Sequence, residues 1–454
     1  MAALMNRGQR EHLHFVGISG ALMTGVAALA KSAGYEVSGS DINFYPPMGQ
    51  AARDLGVPLF TGYDADVRAR PADCYIIGNA VSRGNPFVES ILAERRPYVS
   101  APQWLGETIL RDKTVIAVAG THGKTTTASL LVWLLHRAGK EPGFLLGGVA
   151  PNFGVSAAFS QSRLFVVEAD EYDSAFFDKR PKFLHYRPSI VLLNNLEFDH
   201  ADIYKNIDEI ARQFHYLFRS VPSDGQIIVR AGARHIDEAL QMGVYCPVTR
   251  FGGGGEWQRR KYGDKTRITR GHKTVCRFTP PLIGEANADN ILAATAAAHY
   301  AGADVSKLEE LINDFSPPLR RLQKLVDGDI VVYDDFAHHP TAYKKTIAAV
   351  KSAHPKRRIV VVFEPRSNTM KSGVFKGRLS RALMGADNIL AVGDYDWLAG
   401  SLSSLGKKAK TCETPAKALE ILKREMCSGD CVILMSNGDF GDLPAEIAKF
   451  VKAR

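Results

Sequence analysis

No uninterrupted apolar run in this chain approaches eighteen residues, so nothing in it reads as a membrane-spanning helix. The stretch Met1 to Glu11 is polar and lacks the apolar core of a secretory signal. Cysteine is scarce. The six, at positions 74, 246, 276, 412, 427 and 431, form no CxxC pair, and Cys427 and Cys431 stand apart from any histidine at metal spacing. That excludes a sequence-local zinc module and a disulfide framework, and reduced structural thiols are expected. Repeats of solenoid length and low-complexity tracts are also missing. So are a zinc finger, a helix-turn-helix and an aromatic-basic RNA module. The net charge of +9 therefore suits anionic small ligands such as nucleotides better than nucleic acid. A cytoplasmic chain without membrane insertion is expected.

The 454 residues exceed one ordinary hydrophobic core, and 45% hydrophobic with 23% charged residues is a globular balance. Three α/β blocks follow one another. The first, 1–111, opens with a strand at His12 to Gly17, a helix at Ala21 to Ser32 and a strand at Glu36 to Ser40, with further strands at Cys74 to Ile77 and Tyr98 to Val99. The second, 112–318, has strands at Thr114 to Ala119, Leu164 to Glu168 and Ser189 to Leu193. Its helices are Thr125 to Arg137 and the alanine-rich Asn287 to Ala301. Arg259 to Arg277 reads as an exposed hairpin region, and Ser316-Pro317-Pro318 marks a boundary. The third, 319–454, alternates strands at Ile330 to Tyr333, Arg358 to Phe363, Asn388 to Val392 and Cys431 to Met435 with helices. Those helices are expected at Pro340 to Ser352, Ser380 to Met384, Ala416 to Glu425 and Ala445 to Ala453. The fold class expected is three-domain α/β: Rossmann-like outer domains around a central domain with a phosphate loop.

That loop is Gly120-Thr121-His122-Gly123-Lys124-Thr125-Thr126, between a buried strand and a helix. Backbone N–H groups there can surround a phosphate, helped by the helix N-terminus. Lys124 adds a charge, and Thr125 offers a hydroxyl to Mg²⁺. The usual first glycine of such loops is Val118 here, and the bland reading is a strand–turn–helix corner whose lysine faces solvent. Glu168, Asp170, Glu171 and Asp173 crowd the end of one strand, and Asn194, Asn195, Glu197, Asp199, His200 and Asp202 follow the next. Crowded carboxylates need compensating cations. Glu168 and His200 are the expected metal contacts, while Glu171 and Asp202 read as turn and capping residues.

Two other strand ends carry candidates. Gly17, Ser19 and Gly20 follow the first strand, and Asp41 follows the second, where a ribose partner is expected. The pattern suits NAD(P) or any nucleotide diphosphate, or a plain glycine turn. Gly78 to Pro86 can add contacts to the same ligand. In the third block, Asp335 can accept a ribose hydroxyl, and of His338 and His339 one at most is expected to face the nucleotide. Zinc is a rival reading there, but no third ligand is spaced to support it. Arg320 and Arg321 lie at the hinge, within reach of a phosphate when domains close. Glu364 to Thr369 and Asn437 to Gly441 end two further strands and can meet substrate.

Taken in order, these segments resemble the Mur ligase superfamily over nearly the whole chain. The resemblance rests on His12 to Gly25 with Ser38 to Asp41, Gly78 to Asn85, Ala119 to Thr127, Glu168 to Asp173 with Phe176 to Arg180, Leu193 to Asp202, and Asp334 to Thr341. It implies a UDP-sugar domain using Gly17, Ser19, Gly20 and Asp41, joined by Ser82, Arg83 and Asn85. It implies ATP on Gly120 to Thr126, and Mg²⁺ on Thr125, Glu168 and His200, with Lys124, Glu168 and His200 carrying catalysis. Family adenine contacts map to Asn287 and Asn290, although the family's preceding histidine is Ala286 here. Arg321, Asp335 and His339 would reach the nucleotide from the hinge and last domain. The implied reaction is ADP-forming ligation through an acyl phosphate, in cell-wall peptide recycling. L-alanyl-γ-D-glutamyl-meso-diaminopimelate would be joined to UDP-N-acetylmuramate, with L-alanine addition as the alternative. Tyr45 to Met48, Arg83 to Asn85, Phe176 to Arg180 and Glu364 to Thr369 resemble the tripeptide-adding branch. A monomer is expected. A nicotinamide-dependent oxidoreductase would leave Lys124 and the Glu168 cluster unexplained, and a non-enzymatic nucleotide switch would leave the first domain unexplained.

Overall fold

Strand, glycine turn and helix recur three times, and each time they seed a separate sheet. A computed structural model describes residues 11–45, 48–64 and 66–454. Pro46 and Pro47, within the Tyr45 to Met48 segment, and most of Met1 to Glu11 lie outside the described residues. The first sheet has the order β3-β2-β1-β4-β5, with β1 at His12–Val16, β2 at Glu36–Asp41, β3 at Leu59–Thr61, β4 at Cys74–Ile77 and β5 at Tyr98–Ser100. All its pairings are parallel. The strand order reverses between β1 and β4, so the loops after these two strands flank one crevice.

The central sheet holds β6 (Thr114–Ala119), β7 (Gly143–Ala150), β8 (Val155–Ala158), β9 (Leu164–Ala169), β12 (Ile190–Leu193), β13 (Gln226–Arg230), β14 (Val248–Phe251), β15 (Trp257–Tyr262), β16 (Lys265–Arg270) and β17 (Lys273–Phe278). Between β9 and β12, β10 (Asp173–Ala175) and β11 (Asp178–Pro181) pair separately. The order β17-β16-β15-β14-β13-β12-β6-β9-β7-β8 sets β6 directly between β12 and β9. Three parallel strand ends therefore meet beside the helix Lys124–Arg137. Strands β6 and β12 read as continuous apolar runs because both faces are covered.

The last sheet runs β18-β19-β23-β20-β21-β22: β18 (Gln323–Val326), β19 (Val331–Asp335), β20 (Arg358–Phe363), β21 (Asn388–Val392), β22 (Ala409–Cys412) and β23 (Asp430–Met435). Only β18 is antiparallel to its neighbour.

The first two sheets share a core. Leu13 and Phe15 belong to the same apolar cluster as Val115, Phe165 and Phe214. The helix Ala21–Ser32 packs on β7 and β8, so closely that a Cβ on Gly25 would sit 2.3 Å from Leu145 Cδ1. The third sheet has a cluster on each face, and Phe198 and Ile283 of the central domain pack against one of them. Its ties to the central domain include polar ones: Thr341 Oγ1 donates to Glu197 at 2.6 Å, Ala201 N to Thr369 at 3.1 Å and Asn368 to Asp202 at 3.0 Å.

Three features depart from expectation. The amphipathic helix Ile207–Arg219, capped by Asn206, was not foreseen, nor was the β7–β8 hairpin. Arg259 to Arg277 does form antiparallel strands, but Arg259 is not an exposed hairpin residue. Its side chain is 15% exposed and pairs with Asp289 at 2.7 Å.

Burial also creates a pH dependence. His14 is fully buried, with Ser38 Oγ at 2.8 Å from Nδ1 and Ser40 Oγ at 2.6 Å from Nε2. Burial first, then the Arg70 charge, pushes its pKa down to about 3. The unfolded chain takes up this proton near pH 6.5 and the folded chain does not. Stability is therefore full above that pH and falls as pH drops toward 3, by up to about 4 kcal/mol at ~1.4 kcal/mol per pH unit. Urea unfolding of wild type and His14→Gln at pH 7 and pH 4 should show the smaller acid loss in the variant. Equal acid losses would refute this assignment.

Candidate active site

The phosphate loop is shaped by its two glycines. Gly120 (φ +131°) and Gly123 (φ +80°) adopt backbone conformations that disfavour side chains. A Cβ on Gly123 would also lie 2.8 Å from Asn290 Oδ1. Gly123 caps the helix without a side chain, so the first-turn N–H groups are open to an anion. The loop after β12 braces this turn. Asn195 accepts from His122 N at 2.8 Å and donates back to His122 O at 2.9 Å. Thr121 Oγ1 accepts from Glu197 N at 2.8 Å, and Asn194 donates to Thr127 Oγ1 at 2.7 Å.

Lys124 lies 3.0 Å from Glu171 Oε2 and 3.6 Å from Asp170 Oδ1. Burial opposes its charge, but these carboxylates outweigh burial and raise its pKa. Glu171 is 2% exposed and also meets His200 Nε2 at 3.0 Å. Reading Glu171 as a turn residue is thus corrected: it is the buried centre of a Lys124–Glu171–His200 chain. Asp202, by contrast, is an exposed turn residue. Lys182, which the sequence reading did not single out, holds Asp170 at 3.0 Å.

Glu168 faces another way. It accepts from Thr125 Oγ1 at 3.0 Å and from Gly147 N at 2.8 Å. A Cβ on Gly147 would lie 2.8 Å from the same carboxylate, which explains the glycine in β7. The candidate metal residues therefore fall into two neighbouring sets, Thr125 with Glu168 and His200 with Asp170 and Glu171. The second set has ligand atoms within 4.8 Å of one another. Oxygen-rich sets of this kind suit Mg²⁺.

The third domain enters through a strained hinge. Arg320 (φ +60°) and Leu322 (φ +50°) flank Arg321 in left-handed backbone. Asp335 accepts from Leu322 N at 2.7 Å and Ala337 N at 2.8 Å, fixing this turn. Arg321 then reaches Thr125 Oγ1 at 3.1 Å and lies 4.5 Å over the Phe336 ring. Arg320 turns away to Asp334 at 3.0 Å and Ser436 O at 2.7 Å, so only one of the two hinge arginines faces the loop. Asn287 and Asn290 sit on the first turns of the helix Glu285–Tyr300 and are bonded to each other at 3.3 Å. Together these groups line a cleft of about 350 Å³ between the central and last domains.

Both His338 and His339 line this cleft, where at most one was expected. Zinc also gains a third group: His122, Glu197 and His339 bring ligand atoms within 4.8 Å. Yet His339 Nδ1 accepts from Thr341 N at 3.1 Å, which leaves the proton on buried Nε2. A protonated nitrogen does not ligate, so the trio as it stands does not form a zinc site; His339 Nε2 and His122 Nε2 are both buried without a hydrogen-bond partner among the described residues.

In the first domain, Ser19 N donates to Asp41 at 2.8 Å, and Gly20 caps the helix Ala21–Ser32. Gly17 (φ +86°) needs its missing side chain, because a Cβ would lie 2.9 Å from Val81 Cγ2. Across the crevice, Ser82 and Arg83 are exposed. Arg83 forks onto Glu89 at 2.9 and 3.1 Å, and Asn85 caps the next helix.

Residues 12–113 match the Mur ligase family catalytic domain, 118–298 the Mur ligase middle domain and 320–438 the Mur ligase glutamate ligase domain. UDP-N-acetylmuramate–L-alanyl-γ-D-glutamyl-meso-2,6-diaminoheptandioate ligase of Escherichia coli K12 is 42% identical, over 95% of this chain and 96% of its own. UDP-N-acetylmuramate–L-alanine ligase of Desulforapulum autotrophicum is 31% identical, over 95% and 97%. The crystal structure of a murein peptide ligase from Psychrobacter arcticus 273-4 superposes with a TM-score of 0.76 at 34% identity, over 97% and 98% of the two chains. With three domain matches in order and relatives alike over nearly its whole length, the chain belongs to the Mur ligase family of ATP-dependent, amide-bond-forming ligases.

Proposed function

We propose that this chain uses ATP to activate the lactyl carboxylate of UDP-N-acetylmuramate and joins it to the free amine of L-alanyl-γ-D-glutamyl-meso-diaminopimelate. The observation that carries the choice is the higher identity to the tripeptide-adding relative than to the L-alanine-adding one. On this reading the crevice after β1 and β4 holds the UDP-sugar through Gly17, Ser19, Gly20 and Asp41, with Ser82, Arg83 and Asn85 opposite. ATP lies in the cleft between the central and last domains, against Gly120 to Thr126, Asn287, Asn290, Arg321, Asp335 and His339. Thr125, Glu168 and His200 would hold Mg²⁺, which when bound neutralises phosphoryl oxygens.

The chain's own groups do the rest. The loop N–H groups and Lys124 meet the charge that gathers on the transferred phosphoryl group. Glu171 and Asp170 keep Lys124 protonated despite its burial. Arg321 brings a second cation from the opposite domain, and closure aligns the amine while excluding water from the acyl phosphate. Every residue invoked lies in one chain, so a monomer suffices, and nucleotide substrates suit a cytoplasmic enzyme. Among the described residues no helix is long and apolar enough to cross a membrane.

The assay supplies ATP, Mg²⁺ and UDP-N-acetylmuramate with either the tripeptide or L-alanine. Phosphate release coupled to a UDP-muramoyl-tripeptide is expected. Coupling to L-alanine alone would refute the substrate choice, and NADH oxidation without phosphate release would refute the mechanism.

A further inference from the structure

Glu197 stands behind the phosphate loop, and among the described residues it is not in the wall of the nucleotide cleft. Its backbone holds one end of the loop. Glu197 N donates to Thr121 Oγ1 at 2.8 Å, and Thr121 Oγ1 donates back to Glu197 O at 3.2 Å. Its side chain serves the last domain. The carboxylate accepts from Thr341 Oγ1 at 2.6 Å, in the first turn of the helix Pro340–Ala353. A carboxylate there also meets the positive end of the helix dipole. Burial favours the neutral acid, but the His122 and Thr341 side chains outweigh burial and hold the carboxyl pKa down to about 2. Glu197 is therefore an anion at neutral pH, and both its oxygens accept.

The same place holds a second contact. His339 caps this helix, and its ring centroid lies 4.6 Å from that of His122 in the loop. Glu197 Oε2 lies 3.9 Å from His122 Nε2. The histidine pair adds packing and no hydrogen bond, since neither Nε2 has a partner among the described residues. Among those residues, the hydrogen-bonded route from this helix to the phosphate loop runs through Glu197 alone. Arg321 reaches the other end of the loop, at Thr125. The last domain thus grips Gly120 to Thr126 at both ends.

We propose that Glu197 is a positioning residue for phosphoryl transfer. It carries the docked position of the last domain into the phosphate loop, so the loop takes its reactive geometry only when Thr341 is seated. The proposal rests on reading this loop as the ATP site. With Thr341 withdrawn, the Thr121 end of the loop keeps only the ties of its own domain. A misplacement of about 1 Å at such a loop costs about 10²-fold in rate. The arrangement also holds back attack on ATP until the cleft is shut against water.

The test is a double-mutant cycle on the full-length enzyme, with Thr341→Val and Glu197→Ala. Thr341→Val removes the hydroxyl and keeps the shape. Glu197→Ala removes the carboxylate and keeps both backbone bonds to Thr121. Phosphate release is followed with whichever acceptor the wild type uses. Each single variant should lower kcat about 10- to 100-fold, and the double variant should be no slower than either. Calorimetric binding of UDP-N-acetylmuramate should not change. Thr341→Ser, which retains the hydroxyl, should keep the wild-type kcat. An unchanged kcat in Thr341→Val, losses that multiply in the double variant, or a serine variant no faster than the valine one would overturn the proposal. A wild-type enzyme without ATP-dependent phosphate release would overturn the ATP reading of the loop instead.

Discussion

Lys124→Ala should lower turnover by about 10³-fold or more while UDP-N-acetylmuramate still binds with wild-type affinity. Lys124 starts the helix behind the phosphate loop. Without it, negative charge building on the phosphoryl oxygens meets only dipoles on that side. The crevice proposed for the UDP-sugar belongs to a different sheet, so calorimetric titration with the sugar nucleotide should not change. The variant should also be less stable, because Glu171 then keeps only His200 as a partner. Asp170 remains compensated by Lys182. Loss of sugar binding in a folded variant, or turnover above a tenth of wild type, would contradict the domain roles.

Arg321→Ala should lower kcat by about 10²- to 10³-fold, and Arg321→Lys should recover little of it. The guanidinium crosses from the hinge to Thr125 Oγ1, so it couples the last domain to the phosphate loop. Its Cζ lies 4.5 Å over the Phe336 ring, a contact that a lysine ammonium on a flexible stem reproduces poorly. A single-turnover experiment separates the possibilities. Slow acyl-phosphate formation supports a role at the phosphoryl group. A normal chemical step with slow product release would place Arg321 in domain movement alone. Asp335→Asn is a useful companion, since it keeps the shape but weakens the carboxylate bonds that fix the hinge turn.

The phosphate loop was readable because each of its parts is local: a buried strand, glycines at the turn and a lysine at the helix start. The same holds for the glycine turn after β1 and for most sheet strands, which appear as short apolar runs. Glu171 was not readable in this way. In the chain it follows a strand and neighbours other acids, as an exposed turn would. Its burial arises only when Lys124 and His200 converge on it from two other strand ends. The hinge was hidden for another reason. Arg320 and Leu322 adopt left-handed backbone that their identities disfavour, and the Asp335 carboxylate maintains it from β19. The helix Ile207–Arg219 is a different case. Its spacing of Ile207, Ile210, Ala211, Phe214, Leu217 and Phe218 after the Asn206 cap is a legible signature, absent from the expectations above.

The core shared between the first two sheets makes them a single cooperative body. Pulling the helix Ala21–Ser32 off β7 and β8 would expose apolar surface on both domains at once, so neither should melt without the other. The third sheet has a core on each face and is tied across the cleft by polar bonds and the partly buried Phe198 and Ile283, so it should unfold or swing separately. Three domains in sequence thus become two bodies in thermodynamics. Calorimetry of the ligand-free chain should resolve two transitions, and ATP bound across the cleft as proposed should draw them together.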